Sequence, residues 1–507
     1  MEPLSGRRYL ELHAPAGGDF LAARERLLAA LPDGCRLMLG CLQQLYPVLS
    51  AADYRVTVTL CPGPGGTDAV RVEPGDTTAE HYGLCLDIGS TIMQMELVDL
   101  VRGRTLSQAA CTNSQTQFGA NILDRILAVK ADRENLKTLQ ALTLSDVRGM
   151  IDTCCRTADI RPEAISAMTV GGNTTMLHFF LGCDPWLVFQ SPYTPVFFDP
   201  GVIRAAELGL PICGNVYCMP AIANYLGGDI TGGLLETDLD TREDLALFLD
   251  IGTNGELVFG NRDFMMSCAC SAGPAFEGGD ISCGMRATDG AVEAVVIDKD
   301  TMEPTLSIVG DAGQKPVGIC GSGIIDVIAE LYRTSIISAK GQFVREGKRV
   351  AHDEHGMGRY ILATKDESET GREISITEVD IDSFIRAKAA IFSAINIMLS
   401  SLDMDVTVLE HVYVAGGIGS GINMENAVRI GMFPDVDRSL FEYIGNSSLA
   451  GAYAMARSDN AVDKVDELAS NMTYMELSTN PRYLDEFVAA CFLPHTNREL
   501  FPSSVQE

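Results

Sequence analysis

The sequence predicts an α/β protein of two similarly built lobes behind a small α+β domain, and three observations carry that prediction. Its 507 residues exceed one ordinary domain of about 100–200 residues. A strand, a glycine-tipped turn and a return strand open at 83 and open again at 245. After each opening, buried-type strands alternate with helical stretches, the pattern of parallel α/β layers.

Composition excludes several classes of function. The formal charge is −30, which opposes nucleic acid, whose binding rests on phosphates neutralised by Lys and Arg. The acidity serves solubility, or a docking face for a basic partner. No run of 18 apolar residues predicts a membrane span, and the first fifteen residues lack the apolar core of a signal peptide. The 15 Cys are odd in number, scattered and mostly set in apolar runs, as reduced thiols of a cytoplasmic protein would be.

The first domain is expected over 1–80, with strands at 8–13, 54–60 and 69–72 and helices at 19–31 and 37–49. Phe20, Leu21, Leu27, Leu28 and Leu31 form the apolar stripe of the first helix, Pro47 stops the second, and 61–66 is a Pro-Gly turn. Residues 73–78 are a linker by composition. The first lobe, 81–242, begins with strands at 83–87 and 94–99 and continues with helices at 119–129 and 145–158. A buried-type strand at 165–170 follows, then a helix capped by Asn173 or Thr174 and, later, a helix from 222. The second lobe, 243–507, restarts with strands at 245–250 and 256–259. A helix follows Gly321-Ser322-Gly323, a long helix covers 380–402, a strand at 412–415 runs into glycines, and 447–456 is a helix of small residues.

The chemistry lies in the two openings, Asp87-Ile88-Gly89-Ser90 and Asp250-Ile251-Gly252-Thr253. One Asp-x-Gly-Ser/Thr is an ordinary turn; two, each between strands and each heading a lobe, are a pair. Glycine lets the backbone approach a phosphate with no Cβ in the way, and successive N–H groups of such a turn form an anion-binding concavity. Gly89, Ser90, Thr91, Gly252, Thr253 and Asn254 are therefore phosphate-binding candidates. Asp87 and Asp250 repel phosphate but suit Mg²⁺ held through its water shell.

Val412-Tyr413-Val414-Ala415-Gly416-Gly417-Ile418-Gly419-Ser420 is a strand running into glycines, on which an adenosine can lie. Gly416, Gly417, Gly419 and Ser420 are its binding candidates. Gly321 and Ser322 open a helix N-terminus to an anion or base. Asp229, in a Gly-Gly-Asp turn, orients the attacking water or merely starts a helix. Glu256, on the second return strand, points into the cleft or into solvent. His178 and His495 suit structural roles better than catalytic ones. The combination predicts two ribonuclease-H-like lobes of the actin, sugar-kinase and heat-shock ATPase type around a nucleotide cleft, with ATP and Mg as cofactors.

The sequence also resembles the ATP-dependent reductive activators of corrinoid proteins. The similar segments are 8–78, ending in Val72-Glu73-Pro74-Gly75-Asp76, then 84–91, Gly171-Gly172-Asn173-Thr174-Thr175-Met176-Leu177-His178, Gly227-Gly228-Asp229, Ala272-Gly273-Pro274-Ala275-Phe276-Glu277-Gly278, 318–326 and Phe492-Leu493-Pro494-His495-Thr496. The resemblance implies ATP-driven support of Co(II) to Co(I) reduction in a corrinoid protein partner, and a homodimer.

One feature departs from that family, whose members usually carry an iron–sulfur module, either a plant-type ferredoxin before the linker or a cluster-binding segment at the C-terminus. A plant-type cluster needs C-x₄-C-x₂-C and a distant fourth Cys. Cys35, Cys41 and Cys61 do not fit and no Cys follows Cys491; a further domain before the first strand is not expected. Cys268, Cys270 and Cys283, the vicinal Cys154-Cys155, and Cys213 with Cys218 are weaker groupings. The expectation is a chain without a cluster, served by an external low-potential electron donor. A small-molecule kinase of the same fold and a non-catalytic ATP-binding adaptor are the alternatives.

Overall fold

In the computed structural model the described residues are 2–119, 121–311, 313–417 and 421–504. They form two compact units, 1–236 with 447–471, and 237–446 with 472–507. Residues 447–471 thus lie in the second half of the sequence but fold with the first.

The first unit opens with a four-stranded sheet in the order Gly6–Glu11, Arg55–Gly63, Gly66–Pro74, Arg36–Leu37. The helices Ala23–Leu28 and Leu39–Ala51 accompany it, and Leu27, Leu45, Leu49, Val56 and Val58 meet in its core. Several expectations are corrected here. The helix expected at 19–31 shrinks to Ala23–Leu28, because Asp19 Oδ1 accepts the Leu21 N–H and makes a local turn instead. Phe20, assigned to an apolar stripe, is 97% exposed. Pro47 does not end its helix, which continues to Ala51. The turn expected at 61–66 narrows to Pro64-Gly65, and Glu73-Pro74 belongs to a strand, not a linker.

The rest of the first unit is built on a six-stranded sheet ordered Arg104–Thr112, Ile92–Asp99, Tyr82–Ile88, Ile165–Gly172, Asn215–Cys218, Val202–Arg204. Alternation along Tyr82–Ile88 divides its side chains between two cores. Leu84, Leu86 and Ile88 pack with Leu139, Val147, Ile151 and Phe179 under the helices Glu134–Ala158 and Thr174–Leu181. Cys85 packs on the opposite face, with Ala167, Met219, Ala452, Met455 and Val465. That second face is covered by the returning helices Ser447–Arg457 and Asn460–Ser470. Glycine permits the close fit: a Cβ on Gly451 would stand 2.1 Å from the Gly232 carbonyl oxygen. The helix expected from 222 starts at Gly228. Residues 222–226 form a tight turn instead, in which Ile222 N–H donates to Leu226 O.

The second unit repeats the plan. Its main sheet runs Phe441–Gly445, His411–Ala415, Ala246–Ile251, Gly255–Asn261, Phe264–Cys270, Met472–Tyr474. In both sheets the Asp-Ile-Gly strand has its antiparallel return strand on one side and a parallel strand on the other. This shared order is that of two ribonuclease-H-like, actin-type lobes. The helix Glu378–Ser400 is started by a capping box between Thr377 and Asp380. It is long and apolar enough to cross a membrane, yet it is the core helix of this unit, with Phe384 edge-on to Phe276.

Candidate nucleotide site

The first hairpin is shaped by what holds its backbone. Gly89 is required because a Cβ there would lie 2.3 Å from the Ile92 carbonyl oxygen. Three successive carbonyls are tied. Asn113 Nδ2 donates to Gly89 O at 2.9 Å, the Arg125 guanidinium donates to Ser90 O at 2.7 Å, and the Asn113 backbone N–H donates to Thr91 O at 2.9 Å. Gly89, Ser90 and Thr91 remain half-exposed. Asn113 and Arg125, both 0% exposed, were missed in the sequence. A signal existed for Arg125: it shares the buried face of the helix Ile122–Ala131 with Ile126 and Val129, where a cation needs a reason to be. Burial pulls the guanidinium down to about 10, with Asp124 pulling the other way, so it stays a cation at neutral pH.

Asp87 follows Cys85 onto the face covered by the returning helix. There Ser448 Oγ donates to Asp87 Oδ1 at 2.8 Å. Gly171 sits opposite Asp87 on the parallel strand, and a Cβ at 171 would stand 2.4 Å from Ser448 Oγ. The glycine is the space the serine occupies. Asp229 is in the first turn of the helix Gly228–Leu235, behind an N-cap at Gly227, and its Oδ1 accepts the Ile230 N–H. A Cβ on Gly227 would lie 2.5 Å from both Gly172 O and Thr174 N. Asp229 therefore starts beside the carboxyl ends of the parallel strands that carry Asp87 and Gly171, where ligands of open α/β sheets bind.

In the second hairpin, Gly252 N–H donates to Asn254 O at 2.9 Å, and Gly273 N–H donates to Thr253 O at 2.8 Å. The Ala272–Gly278 signature is thus the rear support of this turn. Asp250 and Glu256 are directly paired across the strands, so both carboxylates stand on one face of the sheet. Glu256 is 6% exposed; it is not a solvent-facing strand residue.

Gly416 lies against the same hairpin: a Cβ on it would be 2.3 Å from Ile251 O and 2.7 Å from Asp250 Oδ1. Gly417 N–H donates to Ile251 O at 3.1 Å. Gly419 and Ser420 lie outside the described residues. Gly421, beyond them, approaches Ser322: the ideal Cβ position of 421 is 3.8 Å from Ser322 Oγ. Gly321 and Ser322 start the helix Gly321–Arg333. The second unit therefore brings Asp250, Glu256, Gly416 and Gly417 together, and sets Gly421 beside Ser322 of the Gly321-Ser322 helix start. The chemistry of this set, glycine-lined turns beside carboxylates, fits a magnesium nucleotide.

His178 acts in packing. Its Nδ1 meets Thr174 O at 2.7 Å, its Nε2 accepts the Val196 N–H, and Phe197 stacks on the ring at 4.1 Å. Among the described residues, no three His, Cys, Asp or Glu side chains assemble as a metal site. Cys268 and Cys270 are buried in the core, and burial pushes both thiols up.

Comparison with known proteins covers nearly the whole chain. Residues 1–79 match the RACo linker region, 82–242 the RACo middle region, and 244–505 the C-terminal domain of RACo, the ASKHA domain. The corrinoid activation enzyme RamQ of Eubacterium limosum is 30% identical over 417 residues, covering 80% of this chain and 69% of that protein. The [Co(II) methylated amine-specific corrinoid protein] reductase of Methanosarcina barkeri is 26% identical over 424 residues, covering 77% and 73%. A solved reductive activator for a corrinoid, iron-sulfur protein superposes with a TM-score of 0.91 at 40% identity, covering 99% of this chain and 81% of that one.

Proposed function

This chain belongs to the RACo family, and from that premise we propose that it is an ATP-dependent reductive activase that supports Co(II) to Co(I) reduction in a corrinoid protein. The observation that carries the reading is the pair of Asp-Ile-Gly hairpins, each on the same strand of the same sheet order, in a chain similar over its length to a corrinoid activator.

The backbone N–H groups of Gly89, Ser90 and Thr91, and of Thr253 and Asn254, bind phosphate oxygens, with Gly252 shaping the second turn through its N–H bond to Asn254 O. Asp87 and Asp250 are the carboxylates that would hold Mg²⁺, an ion that keeps several of its waters. Bound Mg²⁺–ATP supplies a phosphoanhydride whose cleavage is made easier by charge neutralisation. Asp229 and Glu256 are the carboxylates for orienting the attacking water. Gly321, Ser322, Gly416, Gly417, Gly419 and Ser420 receive the adenosine. The two nucleotide states shift the chain between conformations only as far as its affinities for them differ.

In this reading the electron comes from a separate low-potential protein. Along the sequence the proposed divisions are 1–80, 81–242 and 243–507, with 447–471 of the last folding into the first compact unit; the protein works in the cytoplasm, and it acts as a homodimer. The test is ATP turnover with and without a cobalamin-loaded partner and an external reductant, with the cobalt followed by visible absorption. Stimulated turnover and Co(I) formation are expected. Phosphate on a metabolite would mean a kinase, and binding without turnover an adaptor. Iron and sulfide analysis of anaerobically purified protein tests the absence of a cluster.

A further inference from the structure

Neither phosphate motif contains a basic residue, yet a cation stands directly behind the first. Arg125 is wholly buried. Besides the Ser90 carbonyl, it donates to Gly119 O at 3.1 Å and to Gln115 Oε1 at 3.4 Å. The guanidinium thus places a formal positive charge behind the turn, where a low-dielectric interior makes a charge felt strongly.

The same contacts orient the hairpin. In a trans peptide the C=O and N–H point in opposite directions, and the cis peptides of the described residues lie elsewhere, at Ser191-Pro192 and Leu493-Pro494. Asn113 draws the Gly89 carbonyl inward and Arg125 draws the Ser90 carbonyl inward. The N–H groups of Ser90 and Thr91 are thereby turned outward, toward the half-exposed tip. Asn113 is itself fixed, because its Oδ1 accepts the Gln115 N–H at 3.0 Å.

We infer that Arg125 is a positioning residue of the phosphate hairpin: with Asn113 it locks two peptide planes so that their N–H groups face the phosphates, and it supplies the positive potential the motif lacks. This rests on the phosphate-binding reading of 87–91. It makes the affinity gained from each added phosphate, rather than from the base, depend on Arg125.

Binding of adenosine, AMP, ADP and ATP with Mg²⁺ to the full chain and to its Arg125→Met and Arg125→Lys variants tests it. ATP affinity should fall about tenfold to a hundredfold in Arg125→Met, the range of a charge-assisted hydrogen bond, while adenosine affinity stays within about twofold by the same comparison. Arg125→Lys keeps the charge but not the fork, and should fall between. It serves as the folded probe if the Met variant does not fold. Equal losses for adenosine and ATP, or none for either variant, would overturn the inference. An unmodified chain whose affinity does not rise from AMP to ATP would instead sink the phosphate-hairpin reading itself.

Discussion

Ser448 donates its hydroxyl to Asp87 at 2.8 Å across 361 positions of sequence. The bond holds Asp87 Oδ1 in place on the strand end that carries the first hairpin. A hydrogen bond to a charged group contributes about 1.5–3 kcal/mol, so Ser448→Ala should lower ATP turnover by about tenfold or more with little change in nucleotide affinity. If Ser448 acts through Asp87, adding Ser448→Ala to Asp87→Asn should cost nothing further in a double-mutant cycle of nucleotide affinity and residual turnover.

Gly171→Ala should reproduce that defect from the other side. Its methyl would enter the volume of Ser448 Oγ at 2.4 Å and of Met219 Cε at 2.7 Å. Overpacking of this kind costs about 1–3 kcal/mol, which a urea midpoint would report. Turnover should fall with it, whereas a change at Gly6, open to solvent with nothing within 4 Å, should do neither.

Chelation of divalent ions should abolish turnover, and added Mg²⁺ should restore it. Asp250→Asn should raise the Mg²⁺ concentration for half-maximal rate by about tenfold, the worth of one charged contact. An unchanged Mg²⁺ dependence would remove Asp250 from the metal's surroundings.

Lys388 yields a prediction with a defined sign. It is 0% exposed, and its Nζ donates to the carbonyls of Phe492 and Pro494, both at 2.5 Å. Burial pulls it from 10.5 down to about 7, and a neutral amine still has two protons for these two acceptors. Between about pH 7 and pH 10.5 the unfolded chain therefore holds the extra proton, and stability rises with pH. Relative to Lys388→Met, the gain should approach 1.4 kcal/mol per pH unit as an upper order-of-magnitude slope, about one proton's worth. Urea unfolding of both chains at pH 7, 8 and 9 measures it; a flat difference would mean Lys388 stays charged in the fold.

Much of this was legible because hairpin and strand patterns are local. Asp87, Gly89, Asp250 and Gly252 declare themselves by short spacing, and the doubled opening follows from repeating it. The glycines at 171 and 451 declare only that something comes close. Their partners, Ser448 and Gly232, arrive from distant sequence, and no local propensity names them. Phe20 misled for the converse reason: an apolar residue at helical spacing was outweighed by the Asp19 turn. Arg125 was findable as a charge on an apolar stripe, Asn113 was not, since its value lies in two backbone carbonyls of a turn distant in sequence.

The late return of 447–471 into the first unit sets a timetable for biosynthesis. The nascent first unit leaves the ribosome with the Cys85, Ala167 and Met219 face uncovered, and its covering helices follow only about 235 residues later. At roughly 5–20 residues per second that apolar surface waits roughly ten to fifty seconds. A nascent chain stalled near residue 240 should be held by chaperones and cut by protease, and one stalled well past 471 should resist.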